Sequence, residues 1–375
     1  MPSNDRREMN VLIFFASGLG DALFVAPAYF ALRDLYPSAR ITAMVPYLRF
    51  NKYLLQNILG FDDVIPLKRL RSFSPLAAVS YLKYFYKLSK DIRKQHFDMV
   101  FLTVDTCLPD QYFLALISGA KQRIGTKFWR RKKNKFRFVL TTQVETPFNG
   151  HIIDFHFDLI LSLNKNLEIQ KYLRKTTSTL IESAEPSNFT PITNKLLIVL
   201  PGSGTQSHKR WPFENFIEVI SKVLNDYNCD IVTLGGADEY DSTLIPPKIT
   251  NNPKFHNLSD TLSLPQIIHL LLQTNLIIGN DNGILHLAEF LNKPTIGIYP
   301  GNWTHVSKRF FDNDRKHIVL PRNKEDTLAE KLMDRLGRTK KIQNICIDVV
   351  NSVSPHDVIT EINNTALPKQ PASAI

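Results

Sequence analysis

Residues 11–28 read VLIFFASGLGDALFVAPA, and Arg6 and Arg7 stand just upstream. A basic start, an apolar run and a closing Ala-Pro-Ala have the outline of a secretory leader, which needs an unbroken apolar middle before a small-residue cleavage site. The centre of the stretch argues otherwise. Gly18 and Gly20 interrupt the run, and Asp21 places a carboxylate where a bilayer tolerates one only at high cost. The residues downstream decide the matter. Ala28, Leu32 and Leu35 recur at helical spacing, Tyr36-Pro37 ends that helix, and RITAMV (40–45) reads as a buried strand. The order strand, Gly-containing turn, helix, strand is a βαβ unit, the piece from which parallel sheets are built. VLIFF is then the first core strand and ASGLGDA the turn, with Pro27 inside the helix.

The same pattern continues. FDDVIPL (61–67) is a short strand, 77–95 an amphipathic basic helix and FDMVFLTVD (97–105) a buried strand. QYFLALISGA (111–120) is a helix, KQRIGT (121–126) a short strand and turn, and HIIDFHFDLILSLN (151–164) a helix that closes this half. Residues 183–194, polar and containing proline, read as a linker. A second series comes after it: strands at 195–200, 229–236, 275–281 and 294–301, with helices at 212–227, 263–274 and 283–292. A Ser-capped helix, SPHDVITEINN, lies at 354–364. The expectation is an α/β chain of two doubly wound domains facing a cleft, with ligands beyond the carboxyl ends of the strands.

A length of 375 residues suits two such domains of roughly 150 to 200 residues each. Basic residues outnumber acidic ones 46 to 35, for a net charge of +11. That excess favours an anionic partner: nucleic acid, a phospholipid surface or a phosphorylated substrate. Cys107, Cys229 and Cys346 are far apart and odd in number, which fits a reducing compartment and excludes zinc-knuckle and thioredoxin-like readings.

Five stretches carry candidate chemistry. In SGLGDA (17–22), small residues after a strand let a backbone approach a ligand, and Asp21 is either a general base or an ordinary early-helix acid. Leu23 stands where a dinucleotide fingerprint needs glycine. In LPGSGTQSHKRWP (200–212), Gly202, Ser203, Gly204 and Thr205 supply donors, and Lys209 and Arg210 supply charge. The set suits a phosphate or diphosphate, or else a surface loop with Trp211 packed beneath it. In GNDNGILHLAEF (279–290), Asp281 or Asn282 can cap a helix, with the N–H groups of Gly283 and Ile284 open to a ligand oxygen and His286 near the same edge. In GGADEYD (235–241), Asp238 or Glu239 can take ribose hydroxyls or simply complement a helix dipole. Finally, KQRIGTKFWRRKKNKFR (121–137) holds nine basic residues and no acid, interleaved with Phe128, Trp129 and Phe136. That pattern suits nucleic acid, an anionic membrane surface, or solvent. No HExxH or GxSxG pattern is present, and no DxD falls in the cleft turns.

Taken together, SGLGDALFVAPAYFALRDLYPSARIT (17–42), LPGSGTQSHKRWPFENF (200–216) and GNDNGILHLAEFLNKPTIGIY (279–299) resemble glycosyltransferase family 9, the heptosyltransferases that build the inner core of bacterial lipopolysaccharide. The resemblance implies a GT-B fold of two Rossmann-like domains: an acceptor domain at 1–182, a donor domain at 195–350, and a last helix within 351–375 returning to the first domain. It implies inverting transfer from a nucleotide-sugar, usually ADP-heptose, without a metal or other cofactor. The proposed base falls on Asp21, in the turn of Gly18 and Gly20. Lys209 falls on the residue that contacts the donor diphosphate. Asp281, Asn282, Gly283 and His286 fall on the motif that holds donor sugar and diphosphate, beside Ser203, Gly204 and Thr205. Glu239, with Asp238 in competition, falls near the ribose. The expected partners are a nucleotide-sugar, a phosphorylated glycolipid and the cytoplasmic face of the inner membrane, met through Lys127, Arg130, Arg131, Lys132 and Lys133, with no nucleic acid. Gly204-Thr205, Asn282 and YPGNWTHVSKRF (299–310) depart from common members near the donor, which leaves the sugar and nucleotide open. An epimerase or hydrolase of the same architecture and a non-catalytic anionic-surface binder are the rival readings.

Overall fold

A computed structural model describes residues 8–15, 18–45, 51–68, 74–103, 109–129, 132–146, 151–203, 206–236, 241–300, 317–320 and 340–364. The chain divides into two units, Met1–Thr179 and Leu180–Ile375.

In the first unit the strands are β1 (Asn10–Phe14), β2 (Arg40–Val45), β3 (Asp63–Pro66), β4 (Met99–Leu102), β5 (Gln122–Thr126) and β8 (Thr142–Val144), with a small hairpin of β6 (Phe128–Trp129) and β7 (Lys132–Lys133). They form a parallel sheet in the order β3-β2-β1-β4-β5-β8, and the hairpin stands apart. Helices α1 (Leu19–Leu35), α2 (Asn51–Tyr53, running into a π-helical turn at Leu54–Leu59), α3 (Pro75–Lys94) and α4 (Pro109–Ile117) form crossovers between strands, and α5 (Ile152–Leu161) and α6 (Ile169–Glu182) come after β8. Val11, Leu12 and Phe14 are fully buried, as expected of a central parallel strand covered on both faces. The opening stretch is therefore a core strand and a helix start. Pro27 sits well inside α1, where its ring removes one backbone donor; its neighbours from Ala22 to Leu32 are all buried.

The second unit repeats the plan. Strands β9 (Leu196–Leu200), β10 (Asp230–Thr233), β11 (Phe255–Asn257), β12 (Leu276–Asn280), β13 (Thr295–Ile298) and β14 (His317–Leu320) form a parallel sheet ordered β11-β10-β9-β12-β13-β14. Its helices are α7 (Phe213–Asp226), α8 (Pro247–Thr250), α9 (Leu264–Gln273), α10 (Gly283–Phe290), α11 (Lys340–Asn351) and α12 (Pro355–Asn363). In each sheet the strand order reverses beside the first strand, between β1 and β4 and between β9 and β12. Such a switch point opens a crevice at the carboxyl ends of the strands. Close contact across β9 and β12 needs a glycine: a Cβ on Gly279 would lie 2.6 Å from Leu200 Cβ.

Four features differ from the sequence reading. The unit boundary falls after Thr179, ahead of the 183–194 linker, which carries no helix or strand. Asp230, fully buried, accepts from the backbone of Ile192 and Thr193 and so ties the end of that linker to β10. Strands β8, β11 and β14 and helices α6 and α11 are absent from the sequence reading: the short edge strands give weak periodicity, whereas α6 and α11 do carry apolar faces, with Tyr172, Leu173, Cys346 and Val350 buried, that the reading passed over. The last helix, expected to return to the first domain, belongs to the second unit: Val358 and Ile362 of α12 are buried in its core with Val350 and Val353, and Asn363 accepts from Tyr227.

Candidate functional site

The switch point between β9 and β12 brings two distant motifs together. Asn280, at the end of β12 and fully buried, accepts from Trp211 N at 2.9 Å and donates to Pro201 O at 2.6 Å. Asn282 donates to Gly202 O at 2.9 Å. Two asparagines of the late motif thus hold both ends of the middle one. Trp211 packs edge-on against Phe216 and donates through Nε1 to Val353 O at 2.8 Å, so its role is to anchor the loop. Ser203 braces the loop from within, donating to Gln206 O at 2.8 Å and accepting from Arg210 Nε at 3.2 Å.

That framework presents Lys209 to Asp281, with Nζ 2.5 Å from Oδ2. Asp281 Oδ1 lies 3.1 Å from His286 Nε2, and the other ring nitrogen of His286 lies 3.0 Å from Glu289 Oε2. Tyr299 donates to Glu289 Oε1 at 3.3 Å. All of these groups are buried or nearly so, and two cations alternate with two carboxylates. Burial pushes the Asp281 carboxyl up, but Lys209 and His286 outweigh it and hold it well below the usual carboxylate range. Burial pushes His286 down, but its bonds to Asp281 and Glu289 win and raise it to about 9. His286 is therefore an imidazolium at neutral pH, donating from both nitrogens. Burial, with Glu289 and Asp281 nearby, holds the Tyr299 phenol well above its usual value.

The start of α10 corrects one expectation. The Asn282 side chain accepts from both Ile284 N (3.0 Å) and Leu285 N (2.9 Å). The Ile284 N–H, expected to be open to a ligand, is taken by the cap, and Gly283 is left as the first-turn N–H that the cap does not use. Asn282 itself spends its side chain on the cap and on Gly202. Gly204, Thr205, Asp238 and Glu239 lie outside the described residues.

In the first unit, Asp21 is the third residue of α1 and accepts from Gly18 N at 2.6 Å through Oδ2. The bond is that of an early-helix acid, yet the carboxylate stays partly exposed and engages only one oxygen among the described residues. Gly20 is buried in the same turn. A Cβ at Gly18 would stand 2.9 Å from Asp21 Oδ2, so the glycine sets where the carboxylate lies.

The basic segment is less uniform than its composition implies. Lys127, expected to meet the acceptor or membrane, forms an exposed ion pair with Glu145. Arg123 is turned inward, donating to Val139 O at 2.7 Å. The buried Asn134 donates to Thr126 O at 3.1 Å and so closes the base of the β6–β7 hairpin. Lys132 and Lys133 form one strand of that hairpin, and Arg130 and Arg131 lie outside the described residues.

Sequence reasoning missed Glu289, Tyr299 and the clamping role of Asn280. Glu289 had a signal: an acid three residues after His286, among Leu285, Leu287, Ala288 and Phe290, faces the same buried surface.

Comparison with known proteins agrees with this architecture. Residues 85–334 match the model of glycosyltransferase family 9 (heptosyltransferase). Lipopolysaccharide heptosyltransferase 2 of Escherichia coli strain K12 is 24% identical over 313 residues, covering 78% of this chain and 82% of that protein. The lipopolysaccharide core heptosyltransferase OpsX of Haemophilus influenzae is 22% identical over 301 residues, covering 80% and 81%. Among solved structures, Escherichia coli ADP-heptose lps heptosyltransferase II superposes with a TM-score of 0.64 at 16% identity, covering 95% of this chain and 98% of that one. Escherichia coli heptosyltransferase WaaC with ADP-2-deoxy-2-fluoro heptose gives 0.66 at 15% identity, covering 95% and 99%. The fold is GT-B, with two Rossmann-like domains.

Proposed function

The chain belongs to glycosyltransferase family 9, the heptosyltransferase family, and from that premise we propose that it transfers heptose from ADP-heptose, with inversion, to a phosphorylated inner-core glycolipid of lipopolysaccharide. Relatives named for that pathway support the acceptor class, and a solved relative holding an ADP-heptose analogue supports the donor. The observation in this chain that carries the reading is the buried Lys209–Asp281–His286 array at the switch point of the second sheet.

In this reading the donor diphosphate takes the ammonium of Lys209, and the N–H of Gly283 adds to it. Asp281 remains ionised when Lys209 turns to the phosphates, because the imidazolium of His286 still faces it. Asp21 accepts the proton of the acceptor hydroxyl as that oxygen attacks the anomeric carbon. The new C–O bond forms on the face opposite the diphosphate. The old bond breaks with its electron pair on the departing nucleoside diphosphate, whose growing charge Lys209 stabilises. Protein cations thereby serve where other transferases use a divalent metal. The acceptor's lipid places the reaction at the cytoplasmic face of the inner membrane; among the described residues no helix is long and apolar enough to cross it.

The test is a donor screen in excess chelator, following nucleoside diphosphate release from ADP-heptose and from other nucleotide-sugars with a lipid-core acceptor. Acceptor-dependent release from ADP-heptose is expected. Sugar turnover without acceptor, or a strict metal requirement, overturns the reading.

A further inference from the structure

Helix α3 is longer than the sheet it crosses. Tyr84, at its middle, donates to Pro66 O at 2.8 Å and accepts from Lys68 N at 3.0 Å. Pro66 is the last residue of β3. The helix is therefore level with the carboxyl edge of the sheet at Tyr84, since a crossover between parallel strands runs antiparallel to both. At 1.5 Å per residue, residues 75–83 reach about 13 Å beyond that edge. The buried residues of α3, Leu88, Ser89 and Ile92, all come after Tyr84.

The overhang is apolar where it meets solvent. Leu76 is 85% exposed and Leu82 64%, with Val79 and Tyr86 also exposed beside them. Helix α4 extends the patch: its exposed Phe113 stacks on Phe85 at 5.7 Å, Leu116 is exposed a turn further on, and Asp110 accepts from Tyr81. A contiguous patch of this kind marks an interaction surface rather than ordinary scatter. Its rim is cationic. Lys83, Lys87, Lys90, Arg93 and Lys94 are exposed along α3, against Asp91 as the one acid of that helix, and the Lys90 ammonium lies 4.4 Å from the centre of the Tyr86 ring. Apolar side chains at the tip and long cationic ones behind them are the arrangement of a helix that enters the headgroup boundary, with lysines reaching lipid phosphates. A second copy is the weaker occupant, because a two-fold contact would set these basic rims against each other.

We propose that the first half of α3, with Phe113 and Leu116 of α4, docks this chain on an anionic lipid bilayer. The patch stands at the edge of the sheet where β1 ends and the Gly18–Asp21 turn begins. Docking there brings that turn to the surface that holds a lipid-anchored acceptor; this purpose, though not the docking itself, rests on the proposed function.

The test is co-sedimentation of the full chain with sucrose-loaded vesicles that contain no donor or acceptor. Binding to phosphatidylglycerol-containing vesicles and little binding to pure phosphatidylcholine are expected. The combined Leu76→Gln, Val79→Gln and Leu82→Gln variant, and separately Lys83→Gln with Lys87→Gln, should each lower binding by about tenfold or more. All five sites are exposed, and an unchanged thermal midpoint verifies that the variants fold. Wild-type binding retained in the Leu/Val variant overturns the proposal. So does sedimentation velocity showing a wild-type dimer that this variant dissolves without any effect on vesicle binding. Turnover with a soluble, delipidated acceptor is measured in parallel. Loss of vesicle binding in the variants, with no turnover in any protein, sinks the transferase reading and leaves the docking surface standing.

Discussion

Lys209 Nζ lies 2.5 Å from Asp281 Oδ2 although the two residues are 72 positions apart, and both side chains are largely withdrawn from water. A buried pair of this sort is stabilising only relative to its broken halves: removing one partner strands the other charge at a cost of about 3 to 5 kcal/mol. Under the proposed function, Asp281 is the resting partner of the Lys209 ammonium and a diphosphate its working one.

Two roles for this pair separate in a double-mutant cycle. Lys209→Met and Asp281→Leu should each destabilise the protein in urea unfolding, and the double variant should be closer to wild type than either single one. Donor turnover should not recover in the double variant. Recovery there would mean that Lys209 serves the fold alone.

The imidazolium of His286 makes stability fall on the alkaline side. Its folded value of about 9 lies above the ordinary histidine value of 6.5. Its contribution is complete below pH 6.5 and is lost as pH rises through about 9. Thermal midpoints of the wild type should therefore drop between pH 7 and 10. In Glu289→Gln, which keeps the shape but removes one carboxylate from the ring, the drop should begin at lower pH. Parallel wild-type and variant curves in calorimetry would remove Glu289 as the residue that holds His286 charged.

His156 in the first unit has the opposite sign. It is fully enclosed, its Nδ1 has no hydrogen-bond partner among the described residues, and burial lowers it to about 3. The stability linked to its neutral form is present above pH 6.5 and is lost as pH falls from there towards 3. Hydrogen exchange of the α5 amides, Ile152–Leu161, should accelerate as pH is lowered from 6.5 to 4.5, after correction for intrinsic rates. His156→Leu should blunt that acceleration. An unchanged response would show that another group governs acid opening of this unit.

Asp21→Asn should bind donor as the wild type does and lose turnover by about a hundredfold or more. Gly18→Ala is the finer probe. Its methyl would meet Asp21 Oδ2 at 2.9 Å, and the flexible carboxylate would move aside at small cost in stability. Turnover should fall while the melting temperature holds. Full activity in both variants would return Asp21 to the status of a helix-start acid.

Much of the second site was legible as separate pieces. The apolar run Leu276–Asn280 marks its strand, Ser263 and Ser354 mark helix starts by capping, and Pro212 opens α7. Periodicity and capping are local properties, so one sequence displays them. The hydrogen bonds that join the pieces are not local. Asn280 holding Trp211, Asn282 closing off Ile284, and Glu289 bracing His286 each depend on a side-chain direction that residue type leaves open.

The sequence by itself determined the alternation of strands and helices, the division into two α/β halves and the position of each Gly-containing turn, because hydrophobic period and turn chemistry act over a few residues. Only the tertiary structure decided that β9 lies beside β12 and so sets Lys209 on Asp281, that Lys127 pairs with Glu145, and that α12 is buried in the second unit. Strand order and side-chain partnership are settled by which surfaces can be buried together, and that is a property of the whole packed unit.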